Sequence, residues 1–229
     1  MSSSRTPEYL LKLIAENLTI DRGGRRVFQD LSFTLESGTA LVVTGTNGIG
    51  KSSLLRTLAG LVFLSKGSIR LEGGQDDRQP QEQAHYFGHQ DAVKPALSVL
   101  ENLVFWQSFS APVSVSSFAG QKMEPLEALQ VLGIGHTAYL PAAYLSAGQR
   151  RRLSLCRLLV TPRPVWLMDE PTSALDKASE GQLLELMNGH IAHGGLIVTA
   201  THTDLALDKV QILHLKAEIV EALLTEEDF

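Results

Sequence analysis

Two hydrophobic rhythms alternate along the chain. Ala40-Leu41-Val42-Val43-Thr44 is a continuous apolar run rich in β-branched residues, the pattern of a buried strand. Ser53-Leu54-Leu55-Arg56-Thr57-Leu58-Ala59 then carries apolar residues at helical spacing, with Gly60 as its stop. Upstream, Leu10-Leu11-Lys12-Leu13-Ile14, Leu18-Thr19-Ile20 and Leu31-Ser32-Phe33-Thr34-Leu35 read as short strands, and Gly23-Gly24 punctuates a turn. Ser68-Ile69-Arg70-Leu71 is a further strand closed by Gly73-Gly74, and the polar stretch 75–83 reads as a surface loop. From residue 98 to 145 the pattern turns mostly helical, with helices predicted over 100–109 and 126–132 and a connection over 110–117 between them. Strand–helix alternation returns with Val165-Trp166-Leu167-Met168, a helix over 178–188, and Leu196-Ile197-Val198-Thr199-Ala200. The order predicts one α/β core interrupted by a helical insert, with no internal repeat and no coiled-coil heptad run.

Composition narrows the setting. At 229 residues the chain can bury a full core, and length alone allows one or two domains. A net charge of −5 gives no global basic field, so no nucleic-acid partner is expected. Cys156 is the single cysteine, which precludes an intrachain disulfide and fits a reducing compartment. No apolar run approaches the roughly 18–20 residues of a membrane span. Behind Met1-Ser2-Ser3-Ser4-Arg5-Thr6-Pro7, Lys12 and Glu16 interrupt any signal-peptide core. A cytoplasmic protein is expected, whose membrane role, if it has one, comes through a partner.

The chemistry concentrates between the first buried strand and its helix. Gly45-Thr46-Asn47-Gly48-Ile49-Gly50-Lys51-Ser52 fits the phosphate-loop pattern G-x-x-x-x-G-K-[ST]. A loop in that place aims backbone N–H groups and a helix N-terminus at one point, which suits a polyphosphate. These eight residues and Ser53 are the expected nucleotide-binding set, with Lys51 reaching the β/γ-phosphates and Ser52 ligating Mg²⁺. The strand Val165-Trp166-Leu167-Met168 ends in Asp169-Glu170. Asp169 is the second candidate metal partner, and Glu170 is placed to polarise the attacking water. Histidines invite a metal reading, but His85 and His89 lie in a strand-like or loop-like run, and His190 and His193 sit at a predicted helix end, where cations suit the dipole. No intrinsic metal or haem site is expected from them. Phe105 and Trp106 read as packing residues of the insert.

Leu145-Ser146-Ala147-Gly148-Gln149 resembles the signature of the ATP-binding cassette (ABC) family, whose commonest form is Leu-Ser-Gly-Gly-Gln. Arg150-Arg151-Arg152 follow, and arginine in a first helical turn opposes the dipole, so an anion-binding role is expected for them. The resemblance extends over most of the chain. It implies a P-loop NTPase (RecA-like) core with an N-terminal antiparallel β subdomain and a helical insert, in one domain over 1–229. Residues 1–90 and 150–229 would form the core with its β subdomain, and 91–149 the helical subdomain. It implies that Gln90 senses Mg²⁺ and the helical subdomain, that His202 contacts the γ-phosphate beside the catalytic Glu170, and that Asp176, in Ser173-Ala174-Leu175-Asp176, faces a second subunit. Ser146, Ala147, Gly148 and Gln149 would close the nucleotide bound by that subunit. Arg22 stands where the family stacks an aromatic ring on adenine; a guanidinium stacks on any planar base, which predicts weak discrimination between ATP and GTP. The extra methyl of Ala147 is expected to matter little if its φ stays negative.

One set of motifs per chain implies a partner, most simply a second copy or another ABC subunit. Soluble relatives acting on nucleic acid or ribosomes, which carry paired cassettes or long coiled-coil insertions, are the alternative, and so is another small-substrate transporter. After His202 no sizeable C-terminal regulatory domain is expected. Finer similarity lies in Leu41-Val42-Val43-Thr44-Gly45, His85-Tyr86-Phe87-Gly88-His89-Gln90, Val93-Lys94-Pro95, Glu101-Asn102-Leu103 and Phe105-Trp106. These resemble the haem-exporter ATPase subunits of bacterial cytochrome c maturation. That similarity implies a peripheral subunit at the cytoplasmic face of the inner membrane, working with an integral membrane subunit that would contact 90–107.

Overall fold

The computed structural model describes residues 10–110, 113, 115–120 and 122–216; the segment 1–7 and part of the 110–117 connection lie outside them. β1 (Lys12–Arg22) and β2 (Arg25–Glu36) form a hairpin about Gly23-Gly24, and β4 (Lys66–Glu72) pairs antiparallel with the other edge of β1. The two short strands expected around 10–20 are thus one. Its period is broken by register shifts between Ala15 and Asp21, with Asn17 at φ 50°, which is why the sequence reads as two pieces. The bulge presses on the partner strand. A Cβ on Gly67, whose φ is +97°, would lie 2.5 Å from the carbonyl oxygens of both Glu16 and Asn17. Gly67→Ala is therefore expected to cost roughly 1–3 kcal/mol of stability, read as a lower urea midpoint at unchanged slope; an unaltered midpoint would show that the bulge can move.

The second sheet is parallel, in the order β5-β6-β7-β3-β8. Its strands are β3 (Thr39–Thr44), β5 (Ala84–Phe87), β6 (Val165–Asp169), β7 (Leu196–Ala200) and β8 (Val210–His214). The helices are α1 (Lys51–Leu58), α2 (Val99–Phe109), α3 (Pro125–Val131), α4 (Ala147–Val160) and α5 (Lys177–Ala192). The α/β class is as expected. β8 was not: Val210-Gln211-Ile212-Leu213-His214 is an exposed edge strand with no buried face to imprint a pattern. The 75–83 loop is also more ordered than its polarity suggests. It ends in a 3₁₀ turn at Pro80–Gln83, and buried Gln83 closes it by donating to the carbonyls of Gln75 and Arg78 while accepting from the Gln75 N–H.

β6 is buried along its whole length between two cores. Val165 and Leu167 face a cluster with Leu54, Leu55 and Leu41, beneath the antiparallel sheet. Trp166 and Met168 face a second cluster with Leu103, Leu129, Leu155 and Leu183 from α2 to α5. The alternation is the period-two geometry of a strand with both faces covered. It fixes the position of the residue at the strand's end, Asp169.

Candidate nucleotide site

The loop between β3 and α1 is shaped by its glycines and closed by its lysine. Gly50 has φ +112°, and a Cβ there would sit 2.5 Å from Val27 Cγ1, so β2 comes against the loop as only glycine allows. Lys51 is buried, and its ammonium donates to the carbonyls of Gly45 at 2.8 Å and Thr46 at 3.2 Å. Ile49 packs beneath, against the core under the antiparallel sheet. Ser52 Oγ donates to Asp169 Oδ1 at 3.1 Å, joining the start of α1 to the end of β6. A hydroxyl and a carboxylate side by side are hard oxygen donors that suit Mg²⁺.

Glu170 follows at φ 47°, a conformation rare for a side chain of its length. Its backbone is held on every side. The N–H donates to Ala200 O at 2.9 Å, and the carbonyl accepts from Arg151 Nη2 at 2.9 Å and from the Ser173 N–H at 3.1 Å. Glu170 Oε1 lies 3.7 Å from His202 Nε2. Together these groups border an open cleft of about 560 Å³. Asn47, Gly48, Gly50, Lys51, Ser52 and Ser53 line one side, and Asp169, Glu170, Ser173 and His202 the other.

Not every residue expected at the site reaches this cleft. Gln90 is exposed, and its neighbour His89 lines the cleft instead, a residue that sequence reasoning treated only as a discounted metal ligand. Arg22 is exposed at the end of β1, cross-strand from Arg25, and it is Val27 that touches the phosphate loop. Ser146 caps α4, accepting from the Gln149 N–H while Gln149 Oε1 accepts from the Ser146 N–H. Ala147 is helical, with φ negative, the condition under which its extra methyl is expected to matter little, and Gly148 lies beside Ala174. Asp176 caps α5 through Ser179 N–H at 2.8 Å, which holds its carboxyl below the usual range. Ala147 borders a separate hollow with Ala174 and Arg150; His89 and Ser173 line both hollow and cleft.

The arginine run, expected to bind an anion, is engaged within the fold. Arg150 donates to Leu145 O, Arg152 to Leu132 O at 3.4 Å, and Arg151 is buried among backbone carbonyls. They offset the dipole cost by satisfying main-chain acceptors within the fold. The histidine reading also changes. His190 is not a helix-end cation: it is buried, stacked on Trp166 with ring centroids 4.0 Å apart, and burial pushes its pKa down to about 3. His85 bonds Thr161 O and is pushed down to about 3 by the same cause. No group of three or more His, Cys, Asp or Glu among the described residues is placed to hold a metal. Cys156 is buried, and burial raises its thiol well above the usual value, so it is inert as a nucleophile. Phe105, Trp106 and Phe109 form an aromatic cluster on α2, with Arg157 over the Trp106 ring and Phe109 itself 71% exposed. No helix among the described residues is long and apolar enough to cross a membrane.

Comparison with known proteins places this geometry. The profile of the ABC transporter family matches residues 28–173, from β2 to the turn behind Glu170. A putative ABC transporter ATP-binding protein from Pyrococcus furiosus shares the fold, with a TM-score of 0.70 at 21% identity, covering 88% of this chain and 97% of that one. The solved structure of a putative metal-chelate type ABC transporter in an inward-facing conformation gives 0.68 at 28% identity, covering 90% of this chain and 80% of that one. The chain belongs to the ABC transporter family, as an ATPase subunit. Its curated relatives include cytochrome c biogenesis ATP-binding export proteins (CcmA). That of Nitrobacter winogradskyi is 53% identical over 197 residues, covering 86% of this chain and 94% of the relative. That of Chelativorans sp. is 49% identical over 208 residues, covering 90% and 99%.

Proposed function

We propose that the chain is the ATP-hydrolysing motor of a membrane complex for c-type cytochrome biogenesis, of the haem-export type, peripheral at the cytoplasmic face of the inner membrane. The observation that carries the hydrolytic reading is the convergence of Lys51, the Ser52–Asp169 pair and Glu170 on one cleft. Identity of about half the residues to the cytochrome c biogenesis export proteins supports the setting.

The phosphate loop cradles the β- and γ-phosphates, with Lys51 exchanging its loop carbonyls for phosphate oxygens. Ser52 and Asp169 would hold Mg²⁺, which when bound neutralises phosphate charge. The Glu170 carboxylate orients and deprotonates the attacking water, and His202 lies against the same carboxylate to meet the γ-phosphate. Ser146, Gly148 and Asp176 lie outside this cleft, which supports their completing the site of a second copy in a head-to-tail pair. Loss of the γ-phosphate would then release the pair, a ligand-driven bias on a bistable interface. The arrangement suits coupling to a separate integral membrane subunit through the surface around 90–107.

The test is haem staining of c-type cytochromes in the host lacking this gene. Loss of holo-cytochromes, restored by the wild type and not by Lys51→Met, is the expected result. Normal cytochromes in the deletion strain would leave the ATPase standing and redirect the search to another transporter.

A further inference from the structure

We propose that Arg151 is a positioning residue for hydrolysis: from α4 it fixes the backbone of Glu170 and the Gly88–Asp91 segment together, so that the helix beginning at the signature aims the carboxylate. The inference rests on the reading of Glu170 as the residue that activates water.

The side chain is 4% exposed, and its guanidinium serves two separate pieces of chain. Nη1 donates to Gly88 O at 2.7 Å and to Asp91 Oδ1 at 3.3 Å, while Nη2 donates to Glu170 O at 2.9 Å. The guanidinium lies 3.8 Å from the centroid of the Phe87 ring, at the end of β5. One turn further along α4, Ser154 Oγ donates to Asp91 O at 2.9 Å. α4 is therefore clamped to the segment leading from β5 and, through the same guanidinium, to the residue after β6. Burying a charge is a poor way to gain stability, since an apolar side chain of similar size does as well or better. What the planar fork offers here is simultaneous reach to oxygens on separate segments.

Glu170 needs such an anchor. Its positive φ persists only where neighbours over-determine it. Without Arg151, its carbonyl keeps one donor, the Ser173 N–H, and the peptide is free to relax and swing the carboxylate. A displacement of about 1 Å at a reacting group costs on the order of 10²-fold in rate. Lys51 and Ser52, which grip the nucleotide, make none of these contacts.

The experiment uses the full-length chain in single-turnover and steady-state ATP hydrolysis, with AMP-PNP binding by calorimetry and thermal melts alongside. Arg151→Met is expected to lower kcat roughly 10–100-fold with KM and the AMP-PNP Kd within about twofold; Arg151→Lys, able to reach only some of the oxygens, recovers part of the loss. In the Glu170→Gln background the same change is expected to lower the residual rate less than about twofold, because Arg151 acts through that carboxylate. An equal loss in both backgrounds, or an unchanged kcat, overturns the positioning role while leaving the function of the site intact. If Glu170→Gln itself turns over normally, the assignment of Glu170 fails and this inference with it. Should Arg151→Met not fold, Arg151→Lys and Arg151→Gln carry the same cycle.

Discussion

Glu170→Gln is expected to slow ATP turnover by about 10²–10⁴-fold, the usual contribution of a general base, while ATP still binds. The substitution keeps size and hydrogen-bonding reach and removes only the proton acceptor. Lys51, Ser52 and Asp169, proposed to hold the phosphates and their cation, are untouched, and the backbone ties of residue 170 to Ala200, Arg151 and Ser173 involve no side-chain atom of the glutamate. The check is a pair of measurements on one preparation: phosphate release under saturating ATP, and ATP retention by equilibrium dialysis. Turnover within a factor of a few of wild type would transfer the basic role to another group on the cleft, with His202 at 3.7 Å the first candidate. Loss of binding together with turnover would show that the carboxylate holds the cleft in shape.

The second large effect is on stability and depends on pH. In the unfolded chain an imidazole takes its proton near pH 6.5, whereas burial against Trp166 holds His190 to about 3. Between those values the unfolded state binds the extra proton. The stabilisation is fully present above pH 6.5, declines below it, and is gone below about 3. At pH 5 the loss from one such histidine amounts to about 2 kcal/mol. His85 is shifted the same way but is only half-buried, bordering a groove beside Trp106, so water screens its charge and its share is smaller. Urea denaturation at pH 7 and pH 5 measures the difference. His190→Phe, which keeps an aromatic ring on Trp166, is expected to flatten the dependence; an identical pH slope in the variant would assign the acid sensitivity elsewhere.

What could be read from the chain, and what could not, follows from how local each signal is. The phosphate loop is contiguous, and a buried strand before it and an amphipathic helix after it make its role legible at once. The strand ending in Asp169 is legible for the same reason, and pairing it with Ser52 required only that the two strand ends be neighbours. Arg151 shows the limit. Its partners Gly88, Asp91 and Glu170 lie 63, 60 and 19 positions away, and two of the three contacts are to main-chain oxygens that leave no mark on residue type. The sequence offered only an arginine in an unfavourable helical turn, a correct sign that something else held it. β8 escaped because an exposed edge has no buried face, and β1 was read in pieces because its bulge shifts the alternation. His190 looked like a helix-end cation because position along a helix says nothing of the ring stacked against it.

A strand shared by two cores also governs which parts of the molecule can fluctuate. Opening either cluster strips one face of β6, taking Val165 and Leu167 from water exclusion on one side or Trp166 and Met168 on the other. Neither half is expected to open alone cheaply, since each opening exposes a buried face of the central strand. Amide protons of β6 and its neighbour β7 are therefore expected in the slowest-exchanging class, with Asp169 at the end of that quiet strand. Motion during a working cycle is left to elements attached to this partition and not part of it, the loops around the cleft foremost.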